Sequence, residues 1–123
     1  MQGDSALGRA VAVQQRAAAA GFDWPDASGP IAKVKEEIGE VERERGKGKG
    51  EGLQDEIGDL LFAVVNVARK LAIDPATALE GANEKFVRRF AAVERLAAVR
   101  GLVMGQASLQ ELDALWEEIK SRP

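Results

Sequence analysis

The segment DEIGDLLFAVVNVARK, residues 55–70, decides the fold, because it is apolar from Ile57 to Ala68 apart from three positions, Gly58, Asp59 and Asn66. A helix that is apolar nearly all round is normally buried. An unpaired buried carboxylate costs on the order of several kcal/mol, or else it takes up a proton. The segment therefore predicts a core helix in which something must compensate the charge of Asp59.

The composition indicates one soluble globular domain spanning residues 1–123, with 46% hydrophobic and 30% charged residues. The net charge of -3 gives no excess of positive charge that would predict binding to nucleic acid. No apolar run reaches about 18 residues, so no membrane span is expected. The N-terminus lacks the basic-then-apolar layout of a signal peptide, and we therefore expect a cytoplasmic protein.

The residue types that are absent narrow the chemistry further. The chain has no Cys, no His and no Tyr, which excludes a thiolate nucleophile, a Ser-His-Asp arrangement and the usual zinc sites. An enzyme with this composition must use carboxylates, Lys, Arg and a hard metal ion. Oxygen-only ligation favours magnesium or manganese.

The helix start and stop residues along the chain predict an all-α protein, an antiparallel helical bundle of about five helices. No alternating run of β-branched residues predicts a strand. The first helix is expected to end at Gly21, and the last to begin at a capping box of Ser108 and Glu111. The predicted helices between them cover residues 31–45, residues 52–72 and the stretch from the cap Asp74 to Gly101.

Two connections carry their own predictions. Ahead of the second helix, Ser28 or Gly29 is expected to be the cap, with Pro30 at the first helical position. The segment GKGKGEG, residues 46–52, alternates glycine with charge but lacks the GxxxxGK[ST] pattern of a phosphate-binding loop. It is therefore interpreted as a flexible link between helices, although its two lysines could approach a phosphate.

Carboxylates fall on one face of each of the two central helices. At 100° per residue, Glu37 and Glu40 lie together on the second helix, with Lys33 and Glu44 beside them. The third helix carries one polar stripe, formed by Asp55, Glu56, Asp59 and Asn66. Each set alone could be a solvated face, but facing stripes would repel one another unless a cation lay between them.

Cations accumulate on the fourth helix, where Lys85 and Arg89 lie four residues apart and Arg88 lies next to them. Ordinary surface charge explains such a pair when it is taken alone. The alternative is a clamp for an anionic substrate, because the guanidinium fork matches phosphate geometry.

The acidic residues resemble a known signature. Glu36-Glu37-x-x-Glu40 followed by Glu56-x-x-Asp59 is similar to the EExxE…ExxD motif of the MazG-type nucleoside triphosphate pyrophosphohydrolases, in the all-α NTP pyrophosphatase superfamily. Residues 55–94 and 112–120 also resemble that family's central and C-terminal segments. The resemblance covers roughly residues 20 to 120, and the chain looks like the C-terminal-type catalytic domain of the tandem members.

The resemblance implies a role for each matching residue. The magnesium ligands would be Glu37, Glu40, Glu56 and Asp59. The residues that handle the triphosphate would be Lys33, Lys85 and Arg89, and those near the base would be Trp116 and Lys120. Glu36, the spare acid of the motif, is the candidate general base, and it is grouped with Glu37 as catalytic. A homodimer or a dimer of dimers is implied, in which dimerisation completes a core four-helix bundle.

The predicted activity is magnesium-dependent hydrolysis of nucleoside triphosphates, NTP or dNTP, to the monophosphate and pyrophosphate, by attack of water at the α-phosphorus. The family suggests housecleaning of the nucleotide pool. Two enzyme alternatives stay open, a dUTP-selective and a phosphoribosyl-ATP pyrophosphohydrolase. A third alternative is a non-catalytic helical dimerisation module, which would need the apolar helices but not the aligned acids.

Overall fold

A computed structural model describes residues 5–48 and 50–122. Within these ranges the chain has five α-helices and no strand, which confirms the all-α prediction. The helices are α1 (Ala6–Ala19), α2 (Ser28–Lys47), α3 (Gly50–Lys70), α4 (Pro75–Val99) and α5 (Leu109–Lys120). None of the described helices is both long enough and apolar enough to cross a membrane.

The chain forms two compact units, one ending at Ala78 and one beginning at Leu79. In the first unit, α3 packs along α2 and also contacts α1. Gly48, which has the left-handed φ of 68°, ends α2. The two helices are antiparallel, because Glu44 near the end of α2 lies beside Gly52 near the start of α3, where a Cβ atom would overlap the Glu44 carboxylate.

The glycine-rich segment is largely helical, so the prediction of a flexible link over residues 46–52 was wrong. α2 continues to Lys47 and α3 begins at Gly50. Lys47 donates a hydrogen bond to Glu44 at 3.2 Å, whereas Lys49 lies outside the described residues. At its other end α3 stops at Lys70, two residues before the predicted end, and Ala72 has a φ of 59°.

The predicted cap of α2 was also wrong, since both Ser28 and Gly29 lie inside the helix and Ala27 is the cap. The reason is that Asp26 precedes the helix and its Oδ1 accepts hydrogen bonds from the Ser28 backbone N–H at 2.9 Å and from the Ser28 hydroxyl. The other predicted caps are confirmed. Asp74 accepts a hydrogen bond from the Ala76 backbone N–H at 3.3 Å, and the Ser108–Glu111 capping box is present.

The apolar segment that opened the sequence is only partly buried in the single chain. Ala63 and Val65 are buried, but Leu61 is 60% exposed and Val64 is 47% exposed. The expectation of a helix buried on all sides is therefore wrong for the single chain. Within the first unit, α1 and α2 cover only part of the circumference of α3.

The second unit has a small apolar core of its own, formed by Val93, Ala97, Leu115 and Ile119. Trp116 packs against this core, and its ring centroid lies 5.4 Å from that of Phe86. Two hydrogen bonds of 2.8 Å join the guanidinium of Arg100 to the carboxylate of Glu118 and link α5 to the end of α4.

The loop between α1 and α2 is fastened to the end of α3 by a network of ion pairs. The carboxylate of Asp23 accepts hydrogen bonds from Arg69, at 2.6 and 3.2 Å, and from Lys70 at 3.1 Å. The hydrogen bond from Arg69, followed by that from Lys70, holds the pKa of Asp23 well below its usual value. This network fixes the position of Trp24, whose backbone N–H also donates to Asp23 at 2.8 Å.

Gly29 at the start of α2 lies directly under the ring of Trp24, and a Cβ atom at this position would overlap that ring. We predict that Gly29→Ala displaces the indole and destabilises the protein by about 1 kcal/mol, despite the better helix propensity of alanine. Urea unfolding and tryptophan fluorescence measure the two effects.

Gly39→Ala is the matched control, because Gly39 lies in the same helix and an added Cβ would meet only the Arg43 side chain, at 3.8 Å. This variant should gain about 0.5–1 kcal/mol. An equal gain in stability for both variants would contradict the proposed contact between Gly29 and Trp24.

Candidate metal centre

Three carboxylates from two helices meet where α2 packs against α3. Glu37 comes from α2, and Glu56 and Asp59 lie one turn apart on α3. One oxygen of each lies within 4.8 Å of the others. The antiparallel packing of the helices thus brings together acids that are about 20 residues apart in the sequence.

Glu37 is the buried member of the group, with 5% of its surface exposed. Its Oε1 lies 3.3 Å from the Nζ of Lys33. Its Oε2 is buried and has no hydrogen-bond partner among the described residues. A buried carboxylate oxygen without a donor calls for either a proton or a cation.

Asp59, by contrast, is exposed to solvent, and the expectation that it is the buried acid was wrong. It lines a cavity of about 320 Å³ that it shares with Glu37 and Lys33. The carboxylate therefore lies at the open side of the cluster, where a ligand from solvent can reach it.

The raised pKa of Glu56 reflects its burial and the repulsion among the clustered carboxylates. Burial raises its pKa above the ordinary value of 4.5, and its contact with Glu37 and the charges of Glu37, Glu40 and Asp59 raise it further. The all-oxygen donor set and the unpartnered oxygen of Glu37 fit a hard divalent cation such as magnesium or manganese.

The remaining acids of the predicted motif lie outside this group. The carboxylate of Glu40 is paired with Arg43, although its charge still contributes to the raised pKa of Glu56. The side chain of Glu36 is 59% exposed and lies 3.4 Å from Lys33. Ligation by Glu40 and base catalysis by Glu36 stay predictions.

Lys33 is the only predicted phosphate-handling residue in the first unit, among the residues that the structure describes. Its ammonium contacts both Glu37 and Glu36, and hydrogen bonds to these two acids raise its pKa. Because it lines the same cavity as Glu37 and Asp59, it places a positive charge beside the acids.

The other four predicted substrate residues belong to the second unit, and their roles stay predictions. Lys85 is exposed and Arg89 is half-buried. Trp116 packs on the core of that unit, and the Nζ of Lys120 lies 3.9 Å from the Glu117 carboxylate.

A second cavity, of about 390 Å³, lies between α1, the α1–α2 loop and α3, and the sequence patterns did not indicate it. It shares Trp24, Phe62 and Asn66 with the cavity that contains the acids. Gln14 of α1 also lines it and contacts the backbone of Phe62, 48 residues away. No local motif marks Gln14, which is the first of three consecutive polar residues in α1, so the sequence alone does not distinguish it from Gln15.

Comparisons with known proteins identify the family of the chain. The family model described as the MazG nucleotide pyrophosphohydrolase domain matches residues 28–93. The chain is 45% identical over 117 residues to an Escherichia coli K12 protein named nucleoside triphosphate pyrophosphohydrolase. It is 40% identical over 115 residues to a Thermotoga maritima protein named nucleoside triphosphate pyrophosphohydrolase/pyrophosphatase MazG. Each match covers 94% of this chain and 44% of the relative, so the chain spans less than half the length of these relatives.

The raised pKa of Glu56 predicts how the metal-free protein responds to pH. Between the ordinary value of 4.5 and the raised one, the folded state binds more protons than the unfolded state, so stability falls as the pH rises through that window. In chelator at pH 7.5, Glu56→Gln should therefore melt at a higher temperature than the wild type. The difference in melting temperature between the variant and the wild type should disappear near pH 4. Thermal melts between pH 4 and 7.5 measure it.

Asp55→Asn provides the control, because Asp55 is an exposed acid on the same helix and is not one of the three clustered carboxylates. It should leave the melting temperature nearly unchanged. A Glu56→Gln protein less stable than the wild type at pH 7.5 without metal would contradict the repulsion within the cluster.

Proposed function

The chain belongs to the MazG nucleotide pyrophosphohydrolase domain family, and from this premise we propose that it hydrolyses nucleoside triphosphates, ribo or deoxy, to the monophosphate and pyrophosphate with magnesium. The observation that carries the proposal is the buried oxygen of Glu37, which has no hydrogen-bond partner in the described part of the chain and lies beside Glu56 and Asp59. A merely structural helical module has no need for such a group. The names of the two relatives support the substrate class.

In this proposal Glu37, Glu56 and Asp59 would hold the metal ion. Glu40, which is paired with Arg43, would be the fourth ligand. When bound, magnesium would neutralise the acids and the phosphate oxygens. Lys33 lies beside the cluster and would contribute positive charge to the triphosphate, and Lys85 and Arg89 would do the same from α4.

Glu36 would take the proton of the attacking water, because the chain has no histidine for this task. Its carboxylate shares Lys33 with Glu37 and therefore lies next to the cluster without belonging to it. Water would attack the α-phosphorus, and the bond to the bridging oxygen would break to release pyrophosphate. We extend the proposal to housecleaning of aberrant nucleotides, which the family resemblance supports.

The proposed enzyme is also a homodimer or a dimer of dimers. Ile57, Leu61 and Val64 lie along one side of α3, and they are 40%, 60% and 47% exposed in the single chain. Such an exposed apolar stripe on α3 supports the proposal that this side of the helix is buried against a second copy of the chain. Sedimentation of the wild type should show a dimer or a tetramer, and Leu61→Glu should show a smaller species. A monomeric wild type would contradict the proposed assembly.

The products of hydrolysis test the proposed activity directly. With magnesium and a panel of NTPs and dNTPs, pyrophosphate should appear in a 1:1 ratio to nucleoside monophosphate, and chelator should abolish the reaction. Ion chromatography separates pyrophosphate from orthophosphate. Orthophosphate as the first product would exclude cleavage between the α- and β-phosphates.

Two neighbouring substitutions separate metal binding from proton transfer. Glu37→Gln should lose both turnover and the rise in melting temperature that magnesium causes. Glu36→Gln should lower kcat by roughly 10²-fold or more, as the loss of a general base does, but keep the magnesium-induced rise. Unchanged turnover in Glu36→Gln would show that Glu36 is not the general base. Unchanged turnover in Glu37→Gln would show that Glu37 is not a required metal ligand.

A further inference from the structure

The cavity beside α1 has the character of a binding site for a flat, mostly apolar ring. Its volume is about 390 Å³, and its lining includes the aromatic side chains of Phe22, Trp24 and Phe62. Small-molecule sites typically combine apolar walls with a few polar groups that fix orientation. Here the polar groups are Gln14, Asn66, Asp23 and Arg69.

Gln14 carries the most informative of these polar groups. Its side chain is buried, with 4% of its surface exposed. The Nε2 donates a 2.9 Å hydrogen bond to the backbone carbonyl of Phe62, and this bond fixes which end of the amide is which. The Oε1 is buried and accepts no hydrogen bond from the described residues. Because Gln14 lines the cavity, a molecule that fills the cavity can supply the donor that this buried acceptor lacks.

Asn66 and Trp24 are held rigidly at the border of this cavity. The Oδ1 of Asn66 accepts hydrogen bonds from Arg69 at 2.7 and 3.2 Å, and Arg69 in turn binds Asp23 next to Trp24. Asn66, Trp24 and Phe62 line both this cavity and the one that contains Glu37 and Asp59. One molecule with an anionic end at the acids and a ring at Gln14 can therefore occupy both cavities.

We propose that this cavity binds the base of the nucleoside triphosphate, with an N–H of the base donating to Gln14 Oε1 and the ring lying against Trp24 and Phe62. The proposal rests on the proposed function for the triphosphate end of the substrate. It adds a specificity-determining contact from α1, which is separate from Trp116 and Lys120.

Base analogues test the contact on the unaltered protein. For the base with the highest kcat/KM, the analogue that lacks its amino group, or carries a methyl group on its ring N–H, should lose about tenfold or more in kcat/KM, because Gln14 Oε1 then stays unpaired. Purine riboside triphosphate against ATP and 4-deoxy-CTP against CTP are two such pairs. Equal kcat/KM within the pair would overturn the proposal.

Gln14→Leu provides the matching change in the protein. The leucine cannot accept a hydrogen bond, so the preference for the donor-bearing base should shrink to within about twofold. If the variant retains the full preference, the discrimination comes from elsewhere and the proposal fails. If the loss of the hydrogen bond to Phe62 prevents folding of Gln14→Leu, the kcat/KM values of the analogue pairs on the wild type still test the proposal.

Fluorescence tests base binding without hydrolysis. In chelator, nucleosides, which carry no phosphate for the acids to repel, should quench a protein that retains only Trp24 (Trp116→Phe). No quenching of that protein up to millimolar concentration would overturn the proposal. Failure of the proposed function would look different, because the triphosphates would not be hydrolysed even though Trp24 was quenched.

Discussion

The structure of the candidate site depends on one electrostatic constraint, the packing of Glu37 against Glu56 and Asp59 at the α2–α3 contact. One of the three acids is buried with an unpartnered oxygen, and the pKa of another is raised by burial and by its neighbours. The salt bridge from Lys33 offsets only part of this charge. Facing acids of this kind destabilise the contact between the antiparallel helices unless a proton or a cation offsets their repulsion.

The ion pairs at the other end of α3 connect this cluster to the rest of the first unit. Asp23 binds Arg69 and Lys70, and Arg69 also fixes Asn66. Because the pKa of Asp23 is lowered, the stability from these pairs is complete above the ordinary pKa near 4 and is lost as the pH falls below it. The network keeps Trp24 and Asn66 at the border between the apolar cavity and the acids.

Local patterns in the sequence predicted the five helices and the caps at Asp74 and Ser108, because apolar periodicity and capping chemistry act over a few residues. They also brought Glu37, Glu56 and Asp59 into one hypothesis. They failed in two different ways. The burial of Glu37 instead of Asp59 and the contact of Gln14 with Phe62 depend on packing between helices, which a local pattern does not contain. The pairing of Glu40 with Arg43 and the start of α2 after Asp26 are local, but they depend on which of several nearby side chains makes the contact.

Manganese binding followed by electron paramagnetic resonance tests the central claim most directly, because Mn²⁺ has ligand preferences close to those of Mg²⁺ and its free-ion signal falls when it binds. At pH 7.5 without nucleotide, the wild type should bind the ion and release it on addition of magnesium. Glu37→Gln should bind at least tenfold more weakly, whereas Glu42→Gln, an exposed acid of the same helix, should bind as the wild type does. Equal affinity in Glu37→Gln and the wild type would contradict a metal centre at the α2–α3 contact.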